Sequence, residues 1–372
     1  MIDTPTLPAH AVFERLRHAY RDARAGGASR HRDIAATLGV SEGELIAAHV
    51  GAYAGGLCAQ RLKAPWPAVV GELHTVGEVM ALTRNASCVH EKTGVYDNAS
   101  GSGPMGLVLG GAIDLRIFYN HWAHGFAVEE QTPNKGVQRS LQFFDGSGTA
   151  VHKVFAVPTT DLNAWAALVQ RFADAGAAPG LEARAPKPRA DEWPDESVDL
   201  TRFHEGWAGL RDTHDFFGLL KRHNLGRTQA LRLAEPRFAQ AVDAGSAREA
   251  LRAAVATATP VMVFVGNPGM IQIHSGPVKR VEVMGPWLNV LDPGFNLHLR
   301  EDHIAAAWAV RKPTVDGLVT SLELFDAQGE TIAMVFGERK PGRAELCGWR
   351  QIVGRLVGEA TWLADESACS PC

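Results

Sequence analysis

The sequence predicts an α+β fold in which one unit, a large antiparallel β-sheet flanked by helices, occurs twice in tandem. Three observations support this prediction. Segments of the first half return in the same order about 182 residues later, tight turn sequences join short β-rich segments, and both halves end with apolar residues at helical spacing. At 372 residues the chain is also long enough for two domains of ordinary size.

The repeat is clearest in two alignments that need no gap. The first pairs residues 79–96, VMALTRNASCVHEKTGVY, with residues 261–278, VMVFVGNPGMIQIHSGPV. The second pairs residues 114–130, DLRIFYNHWAHGFAVEE, with residues 296–312, NLHLREDHIAAAWAVRK. Because further segments follow in the same order, internal duplication explains the similarity better than chance does.

The strands of each unit are predicted from β-rich segments joined by tight turns. Residues 140–144 and 150–155 flank the turn sequence Asp-Gly-Ser-Gly at 145–148, which is typical of a β-hairpin. Residues 321–337 repeat this pattern around a second turn at 326–329. Because neighbouring strands joined by tight turns run in opposite directions, the predicted sheet is antiparallel.

Helices are predicted at both ends of each unit. The apolar residues of segment 165–172 lie at helical spacing, and a shift of 184 residues aligns Trp165 with Trp349, which begins a segment of the same pattern. The opening helices are expected over residues 12–25 and 200–223.

The domain boundaries follow from a change in composition between the two copies. Residues 175–197, AGAAPGLEARAPKPRADEWPDES, are rich in Ala, Pro and charge and show no apolar period, which is typical of a linker. We therefore predict an N-terminal repeat over 1–175, a linker over 176–199, a C-terminal repeat over 200–364 and a tail over 365–372.

The overall composition excludes several classes of protein. Hydrophobic residues make up 46% and charged residues 21% of the chain, which is typical of a folded globular protein. A net charge of −4 provides no overall attraction to nucleic acid or to an anionic membrane, so any anionic ligand must meet local basic residues. No apolar segment is long enough to cross a membrane and no signal-peptide pattern begins the sequence, so we expect a cytoplasmic protein without membrane insertion.

The cysteines favour reduced thiols over a disulfide framework, because they are few, odd in number and scattered. They are Cys58, Cys88, Cys347, Cys369 and Cys372. The last two have the C-x-x-C spacing of redox and zinc sites, but no second ligand pair accompanies them. A frayed tail is therefore the preferred interpretation of this pair.

Chemistry is best sought where the aligned copies differ, because duplicated units share their scaffold residues. Arg116 aligns with His298, and Glu130 aligns with Lys312. His121 and His124 form an i, i+3 pair that could hold a metal, yet no third ligand lies at a recognisable spacing. The H-E-x-x-H, G-x-S-x-G and G-x-x-x-x-G-K-[ST] signatures are missing, so these motifs suggest no common hydrolase or nucleotidase.

The helix expected at the start of the second copy contains the most informative candidate, His214. Its apolar stripe is predicted to follow a 3-4-3-3 spacing through Trp207, Leu210, His214, Phe217 and Leu220. Two interpretations of a histidine in such a stripe are open. It is either a core imidazole that a backbone carbonyl satisfies, or a ligand that presents nitrogen to a metal centre in an apolar pocket.

Segments along nearly the whole chain resemble one protein family, the cytoplasmic haem-utilisation proteins of Gram-negative bacteria of the HemS/ChuS type. They are DIAATLGVSEGEL, AIDLRIFYNHW, VQRSLQFFD, DTHDFFGLLKRHNL, VMVFVGNPG, PWLNVLDPGFNLHL and AWAVRKPTVDGLVTSLELFD. Such a series of matched segments is much more specific than any short motif.

The resemblance implies that the chain binds haem, Fe protoporphyrin IX, after an inner-membrane ABC transporter has imported it. It then delivers the haem for iron utilisation. The alternative that the family allows is a haem-degrading, haem oxygenase-like enzyme that opens the macrocycle with electrons from an external donor. The implied partners are the transporter and a downstream haem oxygenase or reductase, with no nucleic acid among them.

The resemblance also implies roles for single residues. The histidine of the family's D-x-H-x-F-F motif is the proximal iron ligand and corresponds to His214, whereas the arginine of its D-L-R motif lies on the distal side and corresponds to Arg116. As the distal residue, Arg116 is also the candidate for a catalytic role. The other implied haem-binding residues are Arg227, Lys312 and Arg339 near the propionates, together with Phe118 and Phe336.

Two positions leave questions about the resemblance. Phe336 stands where the family often has Tyr, so a hydroxyl near the haem is absent, and one hydrogen bond of about 1 kcal/mol is lost with it. His90 matches a position that is proposed as a second haem contact in some relatives. The other interpretation of His90, a half-buried histidine in a strand, is preferred.

Overall fold

The structure is a computed structural model that describes residues 9–28, 30–132, 136–185, 192–340, 342–358 and 362. Its first series of helices comprises α1 (Ala9–Ala25), α2 (His31–Thr37), α3 (Glu42–Ala47), α4 (Trp66–Glu72) and α5 (Leu162–Phe172). The first series of strands comprises β1 (Leu57–Leu62), β2 (Val79–Arg84), β3 (Cys88–Gly94), β4 (Ala99–Ser102), β5 (Met105–Leu109), β6 (Asp114–Phe118), β7 (His124–Thr132), β8 (Gly136–Phe144) and β9 (Ala150–Ala156).

The second series repeats the first in the same order. Its helices are α6 (Leu200–Ala208), α7 (Asp215–His223), α8 (Arg227–Leu233), α9 (Ser246–Ala256) and α10 (Cys347–Val357). Its strands are β10 (Ala239–Val242), β11 (Val261–Asn267), β12 (Met270–Gly276), β13 (Val281–Met284), β14 (Trp287–Asp292), β15 (Phe295–Arg300), β16 (Ala306–Thr314), β17 (Gly317–Phe325) and β18 (Thr331–Gly337). The predicted tandem duplication and α+β class are confirmed.

The strands form two nine-stranded sheets of equivalent order. One sheet has the order β1-β7-β8-β9-β2-β3-β15-β14-β13, and the other has the order β10-β16-β17-β18-β11-β12-β6-β5-β4. Exchanging every strand for its counterpart in the other copy converts one order into the other. The registers within the sheets, such as β7 on β8 and β16 on β17, are antiparallel as predicted.

The predicted hairpins and closing helices are also confirmed. In the β8–β9 turn, Asp145 Oδ1 accepts hydrogen bonds from the backbone N–H groups of Ser147 (2.8 Å) and Thr149 (3.0 Å). Gly148 follows with φ +79°, which favours glycine because it lacks a Cβ. The buried faces of α5 and α10 contain Trp165 and Trp349, respectively.

The chain divides into two compact units, each with its own core. The first comprises Met1–Arg84, Glu91–Lys187 and Asn267–Ile271, and its core includes the side chains of Trp66, Trp122 and Phe143. The second comprises Asn85–His90, Pro188–Gly266 and Gln272–Cys372, and its core includes those of Trp207 and Trp349.

Part of the predicted linker follows the surface of the first unit. Residues 175–185 contain no helix or strand, yet the Gly180 N–H donates to the Ala47 carbonyl at 2.9 Å and the Arg184 N–H donates to the Gly146 carbonyl at 2.7 Å. Leu181 packs against the apolar core beside α3. These contacts hold this part of the segment against the unit.

The expectation of reduced cysteines is correct for Cys58 and Cys88 but wrong for Cys347, which is disulfide-bonded. Spacing along a sequence does not show which cysteines come together in the fold, because a disulfide requires proximity and a suitable side-chain geometry in space. Cys369 and Cys372 lie outside the described residues. In the part of the chain that is described, no helix has the length and apolar character needed to cross a membrane.

Candidate functional site

His214 lies in the loop between α6 and α7, and the single helix expected over residues 200–223 is therefore wrong. The loop interrupts the helix because the Asp215 carboxylate accepts the backbone N–H groups of Arg211 (3.3 Å) and Asp212 (3.0 Å). His214 occupies the N-cap position of α7, and its side chain is 90% exposed. It lies outside the apolar stripe, so it is not a core histidine.

A neighbouring carboxylate orients the imidazole of His214. Asp212 Oδ1 lies 2.6 Å from Nδ1 and also accepts the His214 backbone N–H at 2.8 Å. This backbone N–H, then the imidazole and the charge of Arg339, lower the pKa of Asp212 below its ordinary value. Because an ionised carboxylate only accepts hydrogen bonds, Nδ1 is the donor in this pair, and in the neutral form of the ring Nε2 then keeps its lone pair. The exposed imidazole can therefore bind a metal through Nε2.

Arg339 has a buried guanidinium nitrogen that is available to a hydrogen-bond acceptor. Among the described residues its Nη1 has no hydrogen-bond partner, and its Nη2 lies 4.0 Å from Asp316 Oδ2. Buried donors in folded proteins nearly always have partners, and a carboxylate is the strongest acceptor for a guanidinium. The orphaned nitrogen therefore fits an incoming anionic group.

The β16–β17 turn connects Arg339 to the loop of His214. The Val315 N–H donates to the Arg211 carbonyl at 2.9 Å, and the neighbouring Asp316 carboxylate accepts the Gly342 N–H at 3.0 Å. Val315 is itself an exposed apolar residue, as is Phe217 in the first turn of α7. An exposed imidazole, a buried guanidinium and apolar surface thus occur in one part of the second unit.

Arg227 and Lys312 belong to a buried ion cluster. Glu323 is fully buried, accepts two hydrogen bonds from Arg227 at 2.7 and 2.9 Å, and accepts one from Lys312 Nζ at 2.7 Å. Burial opposes the ionisation of Glu323, but the two cations outweigh it and hold the pKa of its carboxyl below the ordinary value. Both cations also lie over the ring of Phe216, at 5.3 and 4.8 Å from its centroid.

Within this cluster, two of the three predicted propionate contacts differ in how exposed they are. The Lys312 side chain is 3% exposed and its ammonium is paired with Glu323, whereas the Arg227 side chain is 28% exposed. Arg227 uses Nε and Nη2 for its bonds within the cluster, which leaves Nη1 for another acceptor. Of these two cations, Arg227 is therefore the more accessible to a ligand.

The first unit places a different pattern of charges on the same scaffold. Glu42 begins α3, as Arg227 begins α8, and it pairs with Arg84 and at 2.5 Å with Lys153. Burial raises the pKa of Glu42, but Lys153 and then Arg84 lower it to about 2. The duplicated helices therefore carry opposite charges here, as expected if the copies differ in chemistry.

Arg116 and Phe118 lie on one face of the β4–β5–β6 part of the first unit. Arg116 pairs across the strands with Leu107, and Phe118 pairs with Met105, so all four side chains share this face. Met105 is exposed and Leu107 half-buried, while the residue between them, Gly106, is buried. Arg116 also forms an ion pair with Asp114. The result is an apolar surface with one guanidinium.

The sequence interpretation missed Met105 and Leu107, because residues 105–109, MGLVL, show no polar–apolar alternation and the register of β5 with β6 is visible only in the structure. Residues 101–106 also spell G-x-G-x-x-G, but they form the β4–β5 turn and open no helix. The dinucleotide-binding interpretation of that motif requires a helix after it. The motif therefore provides no nucleotide site here.

Three other candidates have defined surroundings. His90 is fully buried, and not half-buried as expected, with Gln272 Nε2 2.9 Å from its Nδ1 and the ring of Phe295 5.0 Å away. Phe336 lies on β18 with its ring against Phe264, at 5.0 Å. Within the described ranges, no three His, Cys, Asp or Glu side chains are grouped to hold a metal, so His121 and His124 lack a third ligand of these types.

Glu345 is a buried carboxyl beside the Arg339 loop, and we expect it to make stability depend on pH. It accepts the Thr320 N–H at 2.7 Å, where β17 extends beyond its pairing with β18. Burial raises the pKa of Glu345 from 4.5 to about 7. A raised pKa means that the folded chain holds the proton more tightly than the unfolded chain, so stability is present below pH 4.5 and is lost as the pH rises through 7.

Glu345→Gln tests this expectation, because glutamine stays neutral and can still accept the Thr320 N–H. Between pH 5 and pH 8 the parent chain should lose about 2–3 kcal/mol more unfolding free energy than the variant does. Urea unfolding of the parent and of the variant at both pH values measures these free energies of unfolding. Glu282, in an exposed ion pair with Arg280, provides the control. Glu282→Gln should show the same change in unfolding free energy with pH as the parent. If the unfolding free energies of Glu345→Gln and the parent changed equally with pH, the role of Glu345 would be contradicted.

The chain is similar to known proteins of a single family. The family described as the haemin-degrading HemS.ChuX domain matches residues 39–172 and again residues 224–356. Hemin transport protein HmuS of Yersinia pestis is 41% identical over 335 residues, which cover 88% of this chain and 93% of that protein. Hemin transport protein HemS of Yersinia enterocolitica is 41% identical over 342 residues, 91% of this chain and 96% of that protein.

Solved structures give the same result. Holo-PhuS, a heme-binding protein from Pseudomonas aeruginosa, has 46% identity and a TM-score of 0.88, and the match covers 92% of this chain and 98% of that one. ChuS, described as an E. coli heme oxygenase, has 38% identity and a TM-score of 0.82, with coverages of 92% and 99%. Each comparison spans both copies of the duplicated unit.

Proposed function

The chain belongs to the haemin-degrading HemS.ChuX family, and from that membership we propose that it binds haem through His214 and delivers it intact for iron utilisation. The observation that carries the proposal is the exposed Nε2 of His214, which the Asp212 carboxylate orients at 2.6 Å through Nδ1. Neutral imidazole suits both ferric and ferrous iron. Haem iron in proteins is commonly held by a histidine of this kind.

Basic residues of the second unit could bind the two propionates of haem. Among the described residues, Nη1 of Arg339 has no partner and could bind one carboxylate, and Arg227 has Nη1 outside its bonds to Glu323. Guanidinium groups bind carboxylates with short, charge-assisted hydrogen bonds. Lys312 acts indirectly in this proposal, because its ammonium holds Glu323 and therefore Arg227 in place.

Apolar residues suit the flat macrocycle. Phe217 and Val315 are exposed in the second unit, and their apolar side chains could pack against the macrocycle. Phe336, half-buried on β18, contributes a ring without a hydroxyl. Phe118, which the family resemblance implies as a haem-binding residue, lies in the first unit on the same face as Met105 and Arg116.

For Arg116 we propose the distal role that the family resemblance implies. A guanidinium has donors that could order water or a polar ligand on the distal side of bound haem. Haem supplies the redox-active iron for any such chemistry. Relatives described as haem transport proteins and a relative described as a heme oxygenase share this fold, so this residue is a candidate for separating the two activities.

Arg116→Ala tests the distal role. We expect haem binding within about threefold of the parent, because the proposed axial ligand is unchanged, together with an altered visible spectrum or an altered rate of haem loss under reductant. Absorption spectra and a time course with ascorbate measure both quantities. The exposed pair on β7 and β8 offers a control, Arg139→Ala, which should match the parent. Identical spectra and rates for Arg116→Ala and the parent would count against the proposed role.

The alternative function is haem degradation with an external electron donor, which the 38% identity to ChuS favours. One experiment separates the alternatives. Haem-loaded protein is mixed with a reductant and oxygen while catalase removes peroxide. Loss of the Soret band with release of an open-chain tetrapyrrole identifies an enzyme, whereas transfer of intact haem to an added haem oxygenase identifies a carrier. We propose the carrier, acting in the cytoplasm between an inner-membrane haem transporter and a downstream oxygenase or reductase.

A further inference from the structure

Asp212 contacts the imidazole of His214 on the side away from its exposed nitrogen. The Nδ1–H donates to Oδ1 at 2.6 Å, and the same oxygen accepts the His214 backbone N–H at 2.8 Å. One carboxylate oxygen therefore fixes both the ring and the backbone of this residue. A carboxylate in this position sets the tautomer of a metal-binding histidine and increases the electron donation of its other nitrogen.

The position of Asp212 is held independently of His214. The Asp215 carboxylate accepts the backbone N–H groups of Arg211 and Asp212 at 3.3 and 3.0 Å, and the Asp215 N–H donates back to the Asp212 carbonyl at 3.1 Å. The Val315 N–H holds the Arg211 carbonyl at 2.9 Å. The loop therefore places the carboxylate against the imidazole before any ligand binds.

We propose that Asp212 lowers the reduction potential of haem iron bound at His214, so that the chain keeps imported haem in the ferric state. The inference deepens the proposed function and rests on it, because it requires His214 as the ligand. A hydrogen bond to a carboxylate is roughly twice as strong as one to a neutral acceptor, so it shifts more negative charge onto the imidazole. Ferric iron carries one more positive charge than ferrous iron and is stabilised more by that shift.

The consequence concerns the fate of the haem. Ferric iron does not bind dioxygen, so a lower potential leaves the bound haem unreactive toward oxygen unless a strong electron donor is present. Asp212 would then favour transfer of intact haem over its degradation. It acts through His214 and does not contact the haem, so it is a positioning residue.

Asp212→Asn in the full-length chain tests the proposal, because asparagine keeps an oxygen acceptor and removes the charge. At a fixed potential we expect the ratio of ferrous to ferric haem to rise about tenfold, which corresponds to about 59 mV for a one-electron couple. Spectroelectrochemical titration measures the ratio, and Asp212→Glu should recover part of the parent value. The matched control is Asp215→Asn, which removes the other loop carboxylate but leaves the imidazole contact, and it should keep the parent potential.

Several results would overturn the inference. One is an unchanged potential in Asp212→Asn. Another is an equal shift in Asp215→Asn, which would assign the effect to loop geometry, and a third is loss of histidine coordination in Asp212→Asn, which would assign Asp212 to ligand binding alone.

A measurement without haem distinguishes this inference from the proposed function. Nitrogen-15 NMR of the haem-free chain should show His214 protonated at Nδ1 in the parent and as a mixture of tautomers in Asp212→Ala. A tautomer mixture in the parent overturns the role of Asp212 whether or not haem binds. If the parent shows the Nδ1–H form but no haem binds, the proposed function fails and the orienting contact stands.

Discussion

His214→Ala is expected to weaken haem binding by at least about 100-fold and to change the Soret band of any haem that remains bound. Changes to residues that only support a metal ligand typically cost about 10–100-fold in affinity, so loss of the ligand itself should cost at least as much. The side chain is 90% exposed, and among the described residues it hydrogen-bonds only to Asp212, so its removal should leave the fold intact. Titration of the chain with ferric haem, followed by absorption, measures affinity and coordination together.

The control for this experiment is His223→Ala, at the other end of the same helix. The imidazole of His223 packs against Phe203, and within the described ranges no carboxylate is hydrogen-bonded to it. It should bind haem as the parent does, with the same Soret band. A His214→Ala spectrum that coincides with the parent spectrum would refute the ligand assignment, and the carrier proposal would then need another iron ligand.

Glu323→Gln is expected to destabilise the second unit by about 3–5 kcal/mol. The substitution leaves the ammonium of Lys312, 3% exposed, without a negative partner, and removing one member of a buried ion pair exposes the full desolvation cost of the other. Chemical unfolding monitored by tryptophan fluorescence measures the loss. Haem affinity should fall as well, because Arg227 loses the carboxylate that positions it.

Two further variants serve as controls for the destabilisation expected of Glu323→Gln. Glu282→Gln removes an exposed ion pair with Arg280 and should cost less than about 1 kcal/mol. The double variant Glu323→Gln, Lys312→Met removes both buried charges, so it should recover much of the stability that Glu323→Gln loses. A double variant as unstable as the single one would show that the cost arises from packing and not from an unpaired charge.

The sequence by itself determined the features that depend on local, repeated patterns. The duplication, the turn at 145–148 and the helices around Trp165 and Trp349 all agree with the structure. These features are readable because hydrogen bonding in helices and hairpins joins residues close in the chain, so apolar spacing and turn residues report them directly. Similarity over nearly the whole length likewise identified the family.

Only the tertiary structure decided the surroundings of the site residues. The 3-4-3-3 spacing through His214 matched a helix, but the Asp215 carboxylate competes for backbone N–H groups and opens a loop there. Lys312 was expected to face a ligand, yet its ammonium is buried against the carboxylate of Glu323 on the adjacent strand β17. The orphaned nitrogen of Arg339 likewise has no signature in the sequence. Such contacts join residues from different elements, and periodicity along the chain carries no information about them.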